Sequence, residues 1–232
     1  MSIISISNLV KDYESNGLTV RALRGVECSV ESGEFTAIAG PSGSGKTTLL
    51  NIIGGLDLPT SGGVTVAGSD LTAMSARELS DMRLLRIGFI FQAYNLIPVL
   101  TAIENVEYIL LLQGVGREER RGRAARVLDD VGLSGEMNRL PRELSGGQQQ
   151  RVAVARAIVS EPAIVLADEP TANLDQKTGA GLLDLMHGLN REKGITFIFS
   201  THDRMVMERA ERLVSITDGT ITSDVRKKGK RR

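Results

Sequence analysis

Eight consecutive residues carry the sharpest chemical signal in this sequence: Gly40-Pro41-Ser42-Gly43-Ser44-Gly45-Lys46-Thr47, the pattern G-x-x-x-x-G-K-[S/T]. Glycines let a backbone wrap closely around a polyphosphate and turn its amides inward. A helix starting at Lys46 adds its positive dipole end and its unpaired amides. Lys46 is then the cation for the terminal phosphates and Thr47 the hydroxyl for Mg²⁺, with Thr48 beside them on the helix. At average residue frequencies the four fixed positions arise by accident in roughly 1% of chains this long, so a chance glycine turn is a poor explanation.

A triphosphate site that uses a metal also needs a carboxylate at the end of a neighbouring strand. Ala163-Ile164-Val165-Leu166-Ala167 reads as a buried apolar strand that runs straight into Asp168-Glu169. Asp168 is expected to hold Mg²⁺ or its waters, and Glu169 to orient and polarise an attacking water. A third element, Leu144-Ser145-Gly146-Gly147-Gln148, precedes a helical stretch from Gln149 to Ile158. It offers a serine and two glycine amides to an anion. Taken alone, that corner also fits a plain loop with a serine helix cap.

The elements that must position these groups are legible as short runs. Ile4, Ile6 and Leu9-Val10 predict an early strand, Val26, Cys28 and Val30 another, with a turn at 14–17 between them. Phe35 to Ala39 predicts a buried strand entering the glycine loop, and Lys46 to Gly54 a helix leaving it. Strand, loop and helix in that order form the first unit of an α/β sheet. Further strands are expected at 64–66, 87–91, 164–167, 196–199 and 214–216. The stretch between Gln92 and Ser160 is mostly helical in pattern, with a Gly-Val-Gly turn at 114–116 and a charged run from Arg117 to Arg126.

Composition narrows the classes. The 232 residues contain one cysteine, Cys28, which excludes an intrachain disulfide framework and any multi-cysteine metal site. The longest apolar runs, Tyr108 to Leu112 and Ala163 to Ala167, have five residues, far below the roughly 20 of a membrane span. The N-terminus lacks the basic and apolar regions of a secretory signal, so a soluble intracellular protein is expected. Formal net charge is zero, yet six of the 28 positive charges fall in 226–232. The remainder is acidic, which argues against a nucleic-acid-binding face. The basic end is expected as a solvated, disordered tail, or as a contact for anionic lipid.

The glycine loop, Gln92, Leu144 to Gln148, Ala163 to Glu169, Asn173-Leu174-Asp175 and His202 stand in one order. In that order they resemble the Walker A loop, Q-loop, signature, Walker B, D-loop and H-loop of an ATP-binding cassette nucleotide-binding domain. The resemblance covers about residues 3–222, as a single domain. It implies an α/β fold of the P-loop NTPase class: a RecA-like core, an antiparallel β subdomain and a helical subdomain inserted at about 93–150, followed by the basic tail 223–232. It implies an ATPase that uses ATP and Mg²⁺ and works as a homodimer. In that dimer two copies meet head to tail, and Ser145, Gly146, Gly147 and Gln148 of one copy complete the γ-phosphate site built by Lys46 and Glu169 of the other. Asp175 then lies at the seam, His202 holds the water in line, and Gln92 senses Mg²⁺ and that water. Tyr13 is similar to the aromatic residue that stacks on adenine.

Ile53-Gly54-Gly55-Leu56-Asp57, Gly88 to Gln92, Asn95-Leu96-Ile97-Pro98 and Ala167 to Thr171 resemble the lipoprotein-release and macrolide-export branch, which is also close to the cell-division ATPase FtsE. Two residues depart from that pattern: Ala172 stands at a usual glycine, and Thr47 at a usual serine that supplies the same hydroxyl. The branch implies a separate transmembrane permease subunit with a large extracytoplasmic domain. It places this chain peripherally on the cytoplasmic face of the inner or plasma membrane, with Asn95 to Leu100 as the docking segment or as plain subdomain core. The output is export, lipoprotein release or mechanical transmission. An FtsE-like regulator and a soluble cassette ATPase acting on ribosomes or DNA stay open as alternatives.

Overall fold

Ile4, Ile6 and Leu9 are buried while Ser5 and Ser7 face water, so the first strand shows one side to a core. Strict alternation from Ile6 would bury Asn8 instead of Leu9. Asn8 takes a left-handed φ of +45°, the pairing slips between Ile6 and Leu9, and Leu9 keeps its place inside. The computed structural model describes residues 2–15 and 17–227. Strand β1 (Ser2–Ser15) pairs antiparallel with β2 (Leu18–Glu31). Strand β3 (Phe35–Ala39) begins a second sheet, while β4 (Ser61–Val66) and β5 (Ser69–Asp70) complete the first in the order β2-β1-β4-β5.

The second sheet adds β6 (Ile87–Ile90), β7 (Ile164–Asp168), β8 (Thr196–Thr201), β9 (Arg212–Thr217) and β10 (Thr220–Arg226). Its order is β10-β9-β3-β8-β7-β6, parallel throughout except for the edge strand β10. β3 and β8 are buried along their whole length, because helices or the other sheet cover both faces. Phe35, Ala37, Phe197 and Phe199 pack into one apolar cluster, whereas Ile38, Leu166 and Ile198 point the other way into a second. The second cluster joins the two sheets through α1 (Lys46–Ile53).

Helices α2 (Ala76–Arg86), α3 (Ala102–Leu112), α4 (Arg117–Asp130), α5 (Gly146–Ile158), α6 (Gln176–Lys193) and α7 (Arg204–Arg209) complete the chain. Three of them start on reciprocal caps: Ser75 with Glu78, Thr101 with Glu104, and Ser145 with Gln148. Helices α3, α4 and α5 lie between β6 and β7. Among the described residues no helix is long and apolar enough to cross a membrane.

The C-terminal end departs from expectation. A disordered tail from 223 was expected, but β10 continues to Arg226. Arg212 holds it there: its Nε and Nη2 donate to Asp224 at 2.8 and 2.6 Å, and its Nη1 donates to Glu34 at 2.9 Å. Arg226 adds a bond to Glu34 at 2.7 Å. Lys227 Nζ donates to the Glu208 carbonyl at 3.0 Å, so two of the six basic residues are engaged, and 228–232 lie outside the described residues.

Candidate active site

Because β3, β6, β7 and β8 run parallel, their C-terminal ends share one edge, where open α/β sheets bind ligands. The loop 40–45 leaves β3 there. A Cβ at Gly40 would overlap the Ile216 carbonyl, and Gly45, at φ +101°, would bring one to 2.7 Å from the Ala22 carbonyl. No side chain caps the start of α1, which leaves its first amides for another acceptor. Lys46 is buried, and its Nζ donates to the Gly40 and Pro41 carbonyls at 2.8 and 2.9 Å. The Ser44 hydroxyl is buried with no partner. A buried orphan donor and an ammonium resting on loop carbonyls both suit an incoming polyphosphate. Ser42 and Gly43 form the exposed rim of this loop.

Asp168 ends β7 with its carboxylate 3.3 and 3.4 Å from the Thr47 hydroxyl. These oxygens are the donor type a hard divalent cation takes. Glu169 follows at φ +45°, a costly backbone setting for a side-chain-bearing residue. It is held there by its own amide, which donates to the Ser200 carbonyl at 2.9 Å. Its carboxylate is largely covered. Oε1 lies 2.6 Å from His202 Nδ1 and accepts from the His202 amide at 3.2 Å, while Oε2 accepts from the Thr201 hydroxyl at 3.1 Å. His202, just past the end of β8, is mostly exposed. Three strand ends thus bring an ammonium, a hydroxyl, two carboxylates and an imidazole to one place.

The second group of expected site residues is assembled elsewhere on the chain. Ser145 caps α5: its hydroxyl accepts from the Gln148 amide at 3.3 Å, and its own amide donates to Gln148 Oε1 at 2.9 Å. A Cβ at Gly146 would meet the Tyr94 hydroxyl at 2.9 Å, and one at Gly147 would overlap the Thr178 methyl. Asp175 caps α6, accepting from the Lys177 and Thr178 amides at 3.0 Å and from the Thr178 hydroxyl at 2.6 Å. The Thr178 hydroxyl and amide hold its carboxyl below the usual range. Among the described residues no hydrogen bond joins 145–148 or Asp175 to the loop 40–47. Gln92, just past β6, is exposed, and its carbonyl accepts from Asn173 Nδ2 at 2.8 Å.

Tyr13 stands near α1 with its ring partly exposed. Its hydroxyl donates to Asp57 Oδ2 at 2.7 Å, and the Lys11 ammonium sits 4.8 Å from the ring centroid while donating to Asp57 Oδ1 at 2.6 Å. Burial raises the Tyr13 pKa first and Asp57 adds to it, against a smaller opposing effect of Thr48. Burial also pushes Asp57 upward, but Lys11, Tyr13 and the Leu58 amide together bring it below its ordinary value. Asp57 and Thr201 were not singled out for the site from sequence. The partnership of Asp57 with Tyr13, 44 residues away, has no local signature.

The family described as ABC transporter matches residues 23–172. The chain belongs to the ABC transporter family. This cassette is 45% identical to the lipoprotein-releasing system ATP-binding protein LolD of Syntrophus aciditrophicus over 95% of its own length and 99% of that protein. It is 44% identical to the macrolide export ATP-binding/permease protein MacB of Brucella melitensis over 97% of its length, spanning 35% of that longer protein. It is also similar to the dimeric post-hydrolysis structure of the ATP-binding cassette MJ0796 bound to ADP and Pi, with a TM-score of 0.89 and 43% identity over 97% of this chain and 99% of that one. The fold is the ABC cassette fold: a parallel core sheet with an antiparallel β subdomain. The chain is an ATP-binding subunit of the ABC transporter type and an ATPase, in the branch near LolD and MacB.

Proposed function

We propose that this cassette hydrolyses ATP with Glu169 as general base and drives a separate transmembrane permease subunit by closing as a head-to-tail homodimer. The observation that carries this reading is the meeting of Lys46, Thr47, Asp168, Glu169 and His202 at three strand ends, with Glu169 Oε1 2.6 Å from His202 Nδ1. Lys46 exchanges its loop carbonyls for the β- and γ-phosphate oxygens, and the amides of 40–48 line the remainder. Glu169 takes the proton of the attacking water. His202 leaves Glu169 to face the γ-phosphate and hold that water in line. Electrostatic preorganisation and positioning supply most of the rate.

Thr47 and Asp168 are the residues for Mg²⁺, with Gln92 as the third contact. When bound, the cation supplies charge neutralisation on the phosphates.

In the homodimer Ser145 to Gln148 face the partner copy's nucleotide, with Asp175 at the seam. The exposure of Ser145 and Asp175 supports this. The permease, with its large extracytoplasmic domain, places the cassette peripherally on the cytoplasmic face of the membrane. Its docking segment is 95–100. Val99 is 79% exposed there, while Leu96 packs on the core and belongs to the subdomain interior.

The test is Glu169→Gln. Turnover is expected to fall by about 10²-fold or more, and the variant should run as an ATP-dependent dimer on size-exclusion chromatography. Wild-type turnover in that variant would remove Glu169 from the role of base; a monomer at saturating MgATP would remove the homodimer.

A further inference from the structure

Arg156, in the last turn of α5, is half-buried and forms no ion pair among the described residues. Removal from water alone pulls its pKa below the ordinary guanidinium value. Its N–H groups go to two successive backbone carbonyls: Nη2 donates to Tyr94 O at 2.8 Å, and Nη1 donates to Asn95 O. Tyr94 and Asn95 both have φ of +49°, and they are the one adjacent pair of left-handed residues other than glycine among the described residues. An aromatic residue avoids that conformation unless its surroundings impose it. The planar fork of a guanidinium is suited to imposing it, since two donors with fixed spacing engage two carbonyls at once.

The same helix grips this segment a second time. The Tyr94 hydroxyl covers Gly146 in the first turn of α5, ten residues before Arg156. On the other side, Asn173 holds the Gln92 carbonyl. The chain from Gln92 to Asn95 is therefore suspended between the segment leading to α6 and the helix capped by Ser145.

We propose that Arg156 is a positioning residue that ties the backbone just after Gln92 to α5, so that the orientation of the signature helix sets where the Gln92 side chain stands at the nucleotide. This rests on the reading that Gln92 acts there. A closing movement of the 145–148 corner toward a partner's nucleotide is then transmitted to the chain's own site through two carbonyls. Among the described residues Arg156 makes no hydrogen bond to 40–48, so nucleotide affinity is expected to be insensitive to it.

The experiment is steady-state ATPase of the full chain as wild type, R156M, R156K, Q92A and Q92A/R156M, with thermal unfolding of each. R156M should lower kcat on the order of tenfold, the scale of a misplaced catalytic group, with KM for ATP within about twofold. R156K keeps a cationic donor nitrogen but not the planar fork, and should recover part of the loss. In the Q92A background R156M should cause no further loss, since a residue acting through Gln92 has nothing left to position. Multiplying losses in the double variant, wild-type kcat in R156M, or kcat, KM and melting temperature all deteriorating together would overturn the proposal. If R156M does not fold, R156K carries the same cycle. Wild-type turnover in Q92A alone would overturn the reading of Gln92 beneath it and is seen separately.

Discussion

Thr178 fills the space where a side chain at Gly147 would stand, and the arrangement makes a quantitative prediction. A Cβ at Gly147 would overlap the Thr178 Cγ2 methyl. Thr178 cannot simply swing away: its hydroxyl donates to Asp175 Oδ2 at 2.6 Å, and a β-branched side chain has few alternatives at χ1. Gly147→Ala must therefore shift α5 against α6 or break that bond. Forcing one extra carbon into a packed contact costs about 1–3 kcal/mol. For a chain of this size that corresponds to a fall of about 2–12 °C in melting temperature. Thr178→Ser deletes the methyl and keeps the hydroxyl on Asp175, so Gly147→Ala/Thr178→Ser should recover most of the loss. Circular dichroism melts without nucleotide measure this in the isolated chain. Turnover measured beside it separates a second role: if the Gly147 amide also serves a partner's nucleotide, the double variant regains stability but not ATPase activity. A Gly147→Ala melt at the wild-type temperature, or a deficit that Thr178→Ser leaves untouched, would refute the packing argument.

Asp57→Asn should loosen the Tyr13 ring and raise KM for ATP about two- to tenfold, the worth of one stacking contact, with kcat unchanged in steady-state assays. Because the Asp57 pKa is depressed in the folded chain, its contribution is complete above the ordinary aspartate value near 4 and is lost as pH falls through the lowered one. The KM ratio between variant and wild type should accordingly stay flat from about pH 6 to 8. Asn105 is fully buried and bonds the Ile97 amide at 2.7 Å and the Leu100 and Thr101 carbonyls at 2.9 and 3.0 Å. Asn105→Ala should cost about 1–3 kcal/mol and speed hydrogen exchange across 97–101, the segment that presents Val99. Gly88→Ala would drive a Cβ into the Ala157 carbonyl, and urea unfolding should register a loss of about 1–3 kcal/mol as β6 and α5 separate.

What could be read along the chain is what neighbouring residues decide. The glycines and Lys46-Thr47 turn a strand into a helix within eight residues, and Asp168-Glu169 closes an apolar run, so their chemistry is written in contiguous spacing. The serine cap at 145 is likewise local, since it needs only Gln148 three residues on. Most strands were legible for the same reason, although the slip at Asn8 and the whole of β10 were not. Both depend on partners far along the chain, Arg212 reaching Glu34 across 178 residues. The sheet order was also hidden, because β3, β7 and β8 are short, apolar and nearly interchangeable as sequences, and burial on both faces erases the alternation that would distinguish them. Only the packed tertiary structure puts β8 between β3 and β7. That placement brings Thr47 to Asp168 across 121 residues and His202 to Glu169 across 33. The sequence thus determined which groups the chain carries and what each could do, since reactivity belongs to residue type and immediate neighbours. The tertiary structure decided which of them meet, because those distances are set by long-range packing that no local spacing encodes.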